Sequence, residues 1–202
     1  KELIYGNNPD KAIEYIEELL RLDPDNIDGN YTVGFAYFQM AVNYLMIMQT
    51  PGISYDELNY YSAQVSSLME LSKIRFEKCL EIDEKHYSGH KGMGHYYLLQ
   101  GDAEKAIDEM KLAVKYAPDD ERKAVCKDAL AQIFLSSGNI DAALTTIEDT
   151  IEEFPDRGDT YIIYSNALYS SGDIDKAIEE VQKGLDLKFD QASSKHQLYA
   201  ML

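Results

Sequence analysis

Small and bulky apolar residues four positions apart mark the helices of this chain. In GDAEKAIDEMKLAVKYAP, residues 101–118, Ala106 precedes Met110 by four, so both lie on one face of an amphipathic helix that Pro118 ends. The same turn into a helix occurs four times, as NNPDKAIE (7–14), GDAEKAID (101–108), GNIDAALT (138–145) and GDIDKAIE (172–179). Ala12, Ala106, Ala143 and Ala177 are followed four residues on by Ile16, Met110, Ile147 and Val181. Pro24, Pro118 and Pro155 close three of these helices, because proline lacks a donor and restricts the residue before it. A more degraded copy, LSKIRFEKCLEID (71–83), puts Ser72 in the alanine position, 34 residues before Ala106. A period near 34 with small residues in register predicts a repeated pair of closely packed helices.

Upstream of three of these turns lies the other helix of the pair, with MGHYY around Gly94, LAQIF around Ala131 and YSNAL around Ser165. Here the chain resembles the tetratricopeptide repeat family, whose pattern W-x2-L-G-x2-Y…A-x3-F…P is met with His90, Lys127 and Tyr161 in the tryptophan position. The resemblance implies an all-α fold, a right-handed α-solenoid of antiparallel helix pairs whose first helices line a concave face. It divides a single domain, 1–202, into a partial repeat at 1–26, a repeat with elongated helices at 27–86, and repeats at 87–123, 124–157 and 158–191. A terminal or capping helix is expected at 192–202, and KELIY at the start is read as the remains of a first helix.

The period breaks once. Ala12 and Ser72 are 60 residues apart, an excess that has no loop composition and predicts two lengthened helices, about Asp28 to Gln49 and about Ser54 to Ile82. Between them Pro51 and Gly52 break the chain, and Ser54 with Glu57 fits a capping box. Shared equally, the excess adds about 13 residues, or roughly 20 Å, to each helix. This arm is apolar on one side, with Tyr44, Leu45, Ile47 and Met48 on its first helix and Leu58, Tyr61, Val65 and Leu68 on its second. Two readings stand together. The residues zip the arm helices to each other, and Tyr44, Met48, Leu58 and Tyr61 offer an interface at the tip.

Advancing 100° per residue along each first helix places Tyr31, Phe35 and Phe38, then Lys91, His95 and Leu98, then Asp128, Gln132 and Leu135, then Ile162, Asn166 and Tyr169 on the expected groove side. Aromatic anchors at one end and amides further along suit an extended or helical peptide. Some family members clamp a terminal carboxylate with a basic residue and an asparagine one turn apart. This chain departs from that pattern, keeping at most Asn166.

Composition removes several alternatives. A net charge of −17, from 19 basic and 36 acidic residues, disfavours nucleic acid and anionic lipid, and predicts a neutral or basic protein partner. VGFAYFQMAVNYLMIM (33–48) is shorter than the about 20 residues a bilayer span needs, so no direct membrane insertion is expected. Cys79 and Cys126 lack the close spacing of metal or dithiol sites and read as core residues. HYSGHKGMGH (86–95) holds three histidines but no H-E-x-x-H glutamate, its glycines are not in a phosphate-binding order, and no nucleophile motif occurs. The expectation is therefore no enzyme, metal or cofactor, but a scaffold or adaptor binding a peptide in its groove. The alternative is a self-associating module acting through the arm or a solenoid end. Localisation is left open, with the cytoplasm favoured over a compartment reached through a signal or anchor, and a regulatory domain within a larger polypeptide is a third reading.

Overall fold

A computed structural model describes residues 9–187, and its regular elements are α-helices. They fall in two compact units, Lys1–Asp102 and Ala103–Leu202. The first-helix remnant expected at 1–5 and the terminal helix expected at 192–202 lie outside the described residues.

The first unit contains α1 (Pro9–Leu22), α2 (Ile27–Met48), α3 (Tyr55–Ile82) and α4 (Tyr87–Leu99). Each boundary has a local cause. α1 stops two residues before Pro24. Asn26 caps α2 by accepting the Gly29 amide at 2.9 Å. Gly52, at φ +88°, turns the chain where a side chain would be strained, and the Ser54/Glu57 capping box starts α3. α2 and α3 pack along each other as the lengthened pair. They do not share the excess equally. α2 has 22 residues and α3 has 28, against 14 in α1 and 13 in α4. The second arm helix takes the larger part, spanning about 42 Å.

The core of this unit joins Phe38 and Ala41 of α2, Leu68, Met69 and Phe76 of α3, and Met93 of α4. Phe76 is fully buried, with one edge of its ring wedged against two glycine backbones. A Cβ on Gly92 would stand 2.5 Å from its Cδ1, and one on Gly34 would stand 3.0 Å from its Cε1. Missing side chains on α2 and α4 thus let three helices meet at one aromatic residue. A polar network ties α1 to this core. Glu17 accepts the Tyr37 hydroxyl at 3.0 Å and pairs with Arg75, which also donates to Asn30 Oδ1 at 3.1 Å. Burial, then the bond to Glu17, pushes the Tyr37 phenol up to about 12.

The second unit contains α5 (Ala103–Tyr116), α6 (Asp120–Ser136), α7 (Ile140–Glu153), α8 (Gly158–Ser171) and α9 (Ile174–Leu185), each packed on the next. The periodic small residues explain the spacing. Ala106, Ala143 and Ala177 are buried, as are Met110, Ile147 and Val181 four positions on. α5 and α7 end two residues before Pro118 and Pro155. Around Ala143 the core gathers Ala131, Ile147, Ile163, Tyr164, Ala167, Leu168 and Ala177 from α6, α7, α8 and α9. At its edge the Tyr164 hydroxyl donates to Glu148 Oε1 at 2.9 Å while Lys176 stands over the Tyr164 ring.

Candidate protein-interaction surfaces

The positions aligned with the family tryptophan are filled in three ways. His90 is buried on α4 with Nε2 2.9 Å from the Glu84 carbonyl oxygen. Lys127 lays its stem along α7 and pairs with Glu153 at 2.7 Å. Tyr161 is buried in α8. His86 lies ahead of α4 as its cap, with Nδ1 accepting the Gly89 amide at 3.3 Å. Its partner in the sequence motif, His90, is therefore turned into the core.

In the first unit, α2 and α4 bring five of the expected groove residues together. Tyr31 and Phe35, one turn apart, stack with ring centroids 6.0 Å apart, and Phe35 stacks on Phe38 at 6.4 Å. His95 of α4 continues the run 5.9 Å from Phe38, and Lys91 Nζ stands 5.8 Å from the centre of the Tyr31 ring. Phe38 departs from the expectation of a groove-lining side chain. It is only 7% exposed because the core closes over it, and it forms a floor beneath its neighbours. Tyr31, Phe35, Lys91, His95 and Leu98 are half-buried. Burial first, and the nearby Lys91 charge second, lower the His95 imidazole to about 4. The strip therefore presents neutral rings with one cation beside Tyr31.

In the second unit Gln132 on α6 and Asn166 on α8 are exposed, and Tyr169 is 68% exposed. Asn166 and Tyr169 border a cavity of about 300 Å³ whose walls include Ile174, Ala177, Ile178 and Val181 of α9. Asp128 and Leu135, also placed on the groove side by periodicity, do not line it. Leu135 packs against the core, and Asp128 is buried on α6, 3.3 Å from Arg157 Nη2.

Burial pushes the Asp128 carboxyl up to about 6, against the opposing pull of Arg157 and its hydrogen bonding, with Asp159 adding a weaker upward push. A carboxyl whose folded pKa exceeds its unfolded value stabilises the fold fully at low pH. That contribution is lost as pH rises between about 4 and 6, at about 1.4 kcal/mol per pKa unit. Relative to Asp128→Asn, the parent chain should thus lose roughly 3 kcal/mol across that window. Urea denaturation of both proteins from acid to neutral pH checks this, and a pH-independent difference refutes it.

On the arm, Tyr44 and Tyr61 face each other across the pair with ring centroids 5.3 Å apart, and Met48 and Leu58 are half-buried. The Tyr44–Tyr61 contact joins the two arm helices. The outward side chains at the tip are Met46, Ile47, Tyr55 and Tyr60, of which only Ile47 stood in the sequence pattern. Tyr55 was missed because it is the first residue of α3, where no second turn supplies a period.

Among the described residues, no group of three or more His, Cys, Asp or Glu could hold a metal, and no helix is long and apolar enough to cross a membrane. Cys79 and Cys126 are buried and unpaired with each other.

Comparison with known proteins agrees with this architecture. Models of the tetratricopeptide repeat match residues 3–26 and 92–120, and residues 134–202, together more than half of the chain. The stretch between 26 and 92 that they skip contains the lengthened pair. No curated protein matches. Among solved structures, TTC0263, a thermophilic TPR protein of Thermus thermophilus, has a TM-score of 0.63 at 21% identity, covering 79% of this chain and 73% of its own. The 41-end fragment of MamA from Desulfovibrio magneticus RS-1 gives 0.63 at 14% identity, covering 92% and 88%. YrrB, described as a TPR protein with an unusual peptide-binding site, gives 0.55 at 12% identity, covering 94% and 82%. At these identities the likeness is one of fold. The helix pairs, the buried alanines in register and the matching family models agree that this chain belongs to the tetratricopeptide repeat family.

Proposed function

We propose that this chain is a non-enzymatic adaptor that holds a segment of another polypeptide against the groove-side faces of its first helices. The observation that carries this reading is the run of rings from Tyr31 through Phe35 and Phe38 to His95, with Lys91 at its side. Rings spaced about 6 Å apart match the rise of side chains four apart on an incoming helix, at about 1.5 Å per residue. The buried floor at Phe38 holds the strip in place before a ligand arrives, which limits the ordering that binding must impose. Exposed Gln132 and Asn166 offer amides to a peptide backbone in the second unit. The excess of acidic residues favours a neutral or basic partner whose association weakens with salt.

Selection of a displayed random-peptide library against the full chain tests this. Recovered peptides should carry aromatic or aliphatic anchors, and their affinity should fall at least ~10-fold when Phe35→Ala and Lys91→Ala are combined. Unchanged affinity in that variant, with helicity preserved, would show that the groove assignment is wrong.

A further inference from the structure

We infer that the hollow at the tip of the α2–α3 arm receives a lysine or arginine side chain of a partner polypeptide. The site is separate from the groove and rests on the shape, chemistry and charge of the turn between the two helices.

Shape comes first. Ile47, Pro51, Ile53 and Tyr61 wall a hollow of about 260 Å³, with Glu57 also lining it. Small-molecule sites begin at roughly 300 Å³, so this one suits a single long side chain. Gly52, at φ +88°, and the Ser54/Glu57 capping box fix the turn, and the hollow is therefore formed before a ligand arrives.

The lining chemistry favours a cation. The Ser54 hydroxyl and amide donate to Glu57 Oε2 at 2.6 and 2.9 Å, so Oε1 keeps its lone pairs for an incoming donor. These bonds hold the Glu57 carboxyl below the usual carboxylate range, and it is an anion at neutral pH. Ile47 and Thr50 bring the carboxy-terminal end of α2 to the same hollow, where the helix dipole is negative and no basic residue stands in the last turn. The positive pole at the start of α3 is already offset by Asp56 and Glu57. Apolar walls beside a carboxylate match a cation on an aliphatic stem, the stem lying on Ile47, Ile53 and Tyr61 and the head reaching Glu57.

The cation has to come from outside the arm. From Leu22 to Ser72 the chain has no Lys, Arg or His. Asp56 adds a second exposed carboxylate, and the net charge of −17 draws a cationic partner while repelling another copy of the chain. Exposed Met46, Tyr55 and Tyr60 on the same tip give apolar neighbours of that cation a surface to cover.

NMR titration of the full chain, labelled at its isoleucine and methionine methyls, tests this at low salt. The probes are a blocked pentapeptide with lysine between two leucines and its arginine and norleucine counterparts. The cationic peptides should shift the Ile47 and Ile53 methyls, and their affinity should fall about fivefold with Glu57→Gln, with norleucine in place of the cation, or at high NaCl. Glutamine also serves in a capping box, so helicity should not change. Glu152→Gln, which removes one exposed carboxylate from the second unit, should leave affinity as it was. The Phe35→Ala/Lys91→Ala protein should keep the Ile47 and Ile53 shifts, which separates this site from the groove. The inference is overturned if norleucine binds as well as lysine, if Glu57→Gln binds as well as the parent, or if the cationic peptides leave Ile47 and Ile53 unmoved.

Discussion

Phe76→Ala lowers the unfolding free energy of the first unit by about 3–5 kcal/mol, the largest loss expected of any single apolar truncation there. The ring is fully buried on α3 and meets α2 through Gly34 and α4 through Gly92. Removing it leaves a hollow that two helix backbones border. Backbones cannot swing in to fill space as side chains can, so little of the cavity collapses. Chemical denaturation followed by circular dichroism measures the loss. A loss under about 1 kcal/mol would mean that the three helices do not depend on this residue to meet.

Gly92→Ala acts on the same contact from the other side. Alanine should help the helix by up to about 1 kcal/mol, yet its methyl would stand 2.5 Å from Phe76 Cδ1. Gly34 crowds the same ring edge, leaving the ring little room to retreat. Strain wins, and the expected net loss is about 1–3 kcal/mol. Phe76→Leu in the Gly92→Ala background should recover part of that loss, a coupling that a double-mutant cycle reads directly. Additive effects would place the strain elsewhere.

These contacts show which parts of the molecule local sequence could announce. The turn at Pro51–Gly52 and the Ser54/Glu57 cap were legible because all their atoms lie within a few residues of one another. The proline boundaries and the buried alanines were legible because their spacing is helical and repeats. Phe76 was not, since its importance comes from two glycines on other helices, 42 residues before it and 16 after it. The unequal arm was legible as the turn was, since the break at Pro51–Gly52 divides it into stretches of about 28–49 and 54–82, and the helices run Ile27–Met48 and Tyr55–Ile82. At the candidate site, the 100° rule placed Tyr31, Phe35, Lys91 and His95 on one face, and they do meet in space. It placed Asp128 there as well, because it could not see Arg157 arriving from beyond the Pro155 turn. Angle along a helix names a face, whereas the neighbour that covers that face is a tertiary fact.

The family models skip the stretch between 26 and 92, which contains the lengthened pair. The interruption is a built feature, started by a cap and packed along its length.

The buried cysteines carry one last implication. Cys79 lies in the first unit and Cys126 in the second, both without solvent access, and burial pushes the Cys79 thiol up to about 12. A protonated, enclosed sulfur is a poor nucleophile, so oxidants and alkylating agents find nothing to attack while the helices stay closed. Each half of the molecule thereby holds a dormant chemical label that wakes only when that half opens, and breathing motions can be timed separately without adding a foreign probe.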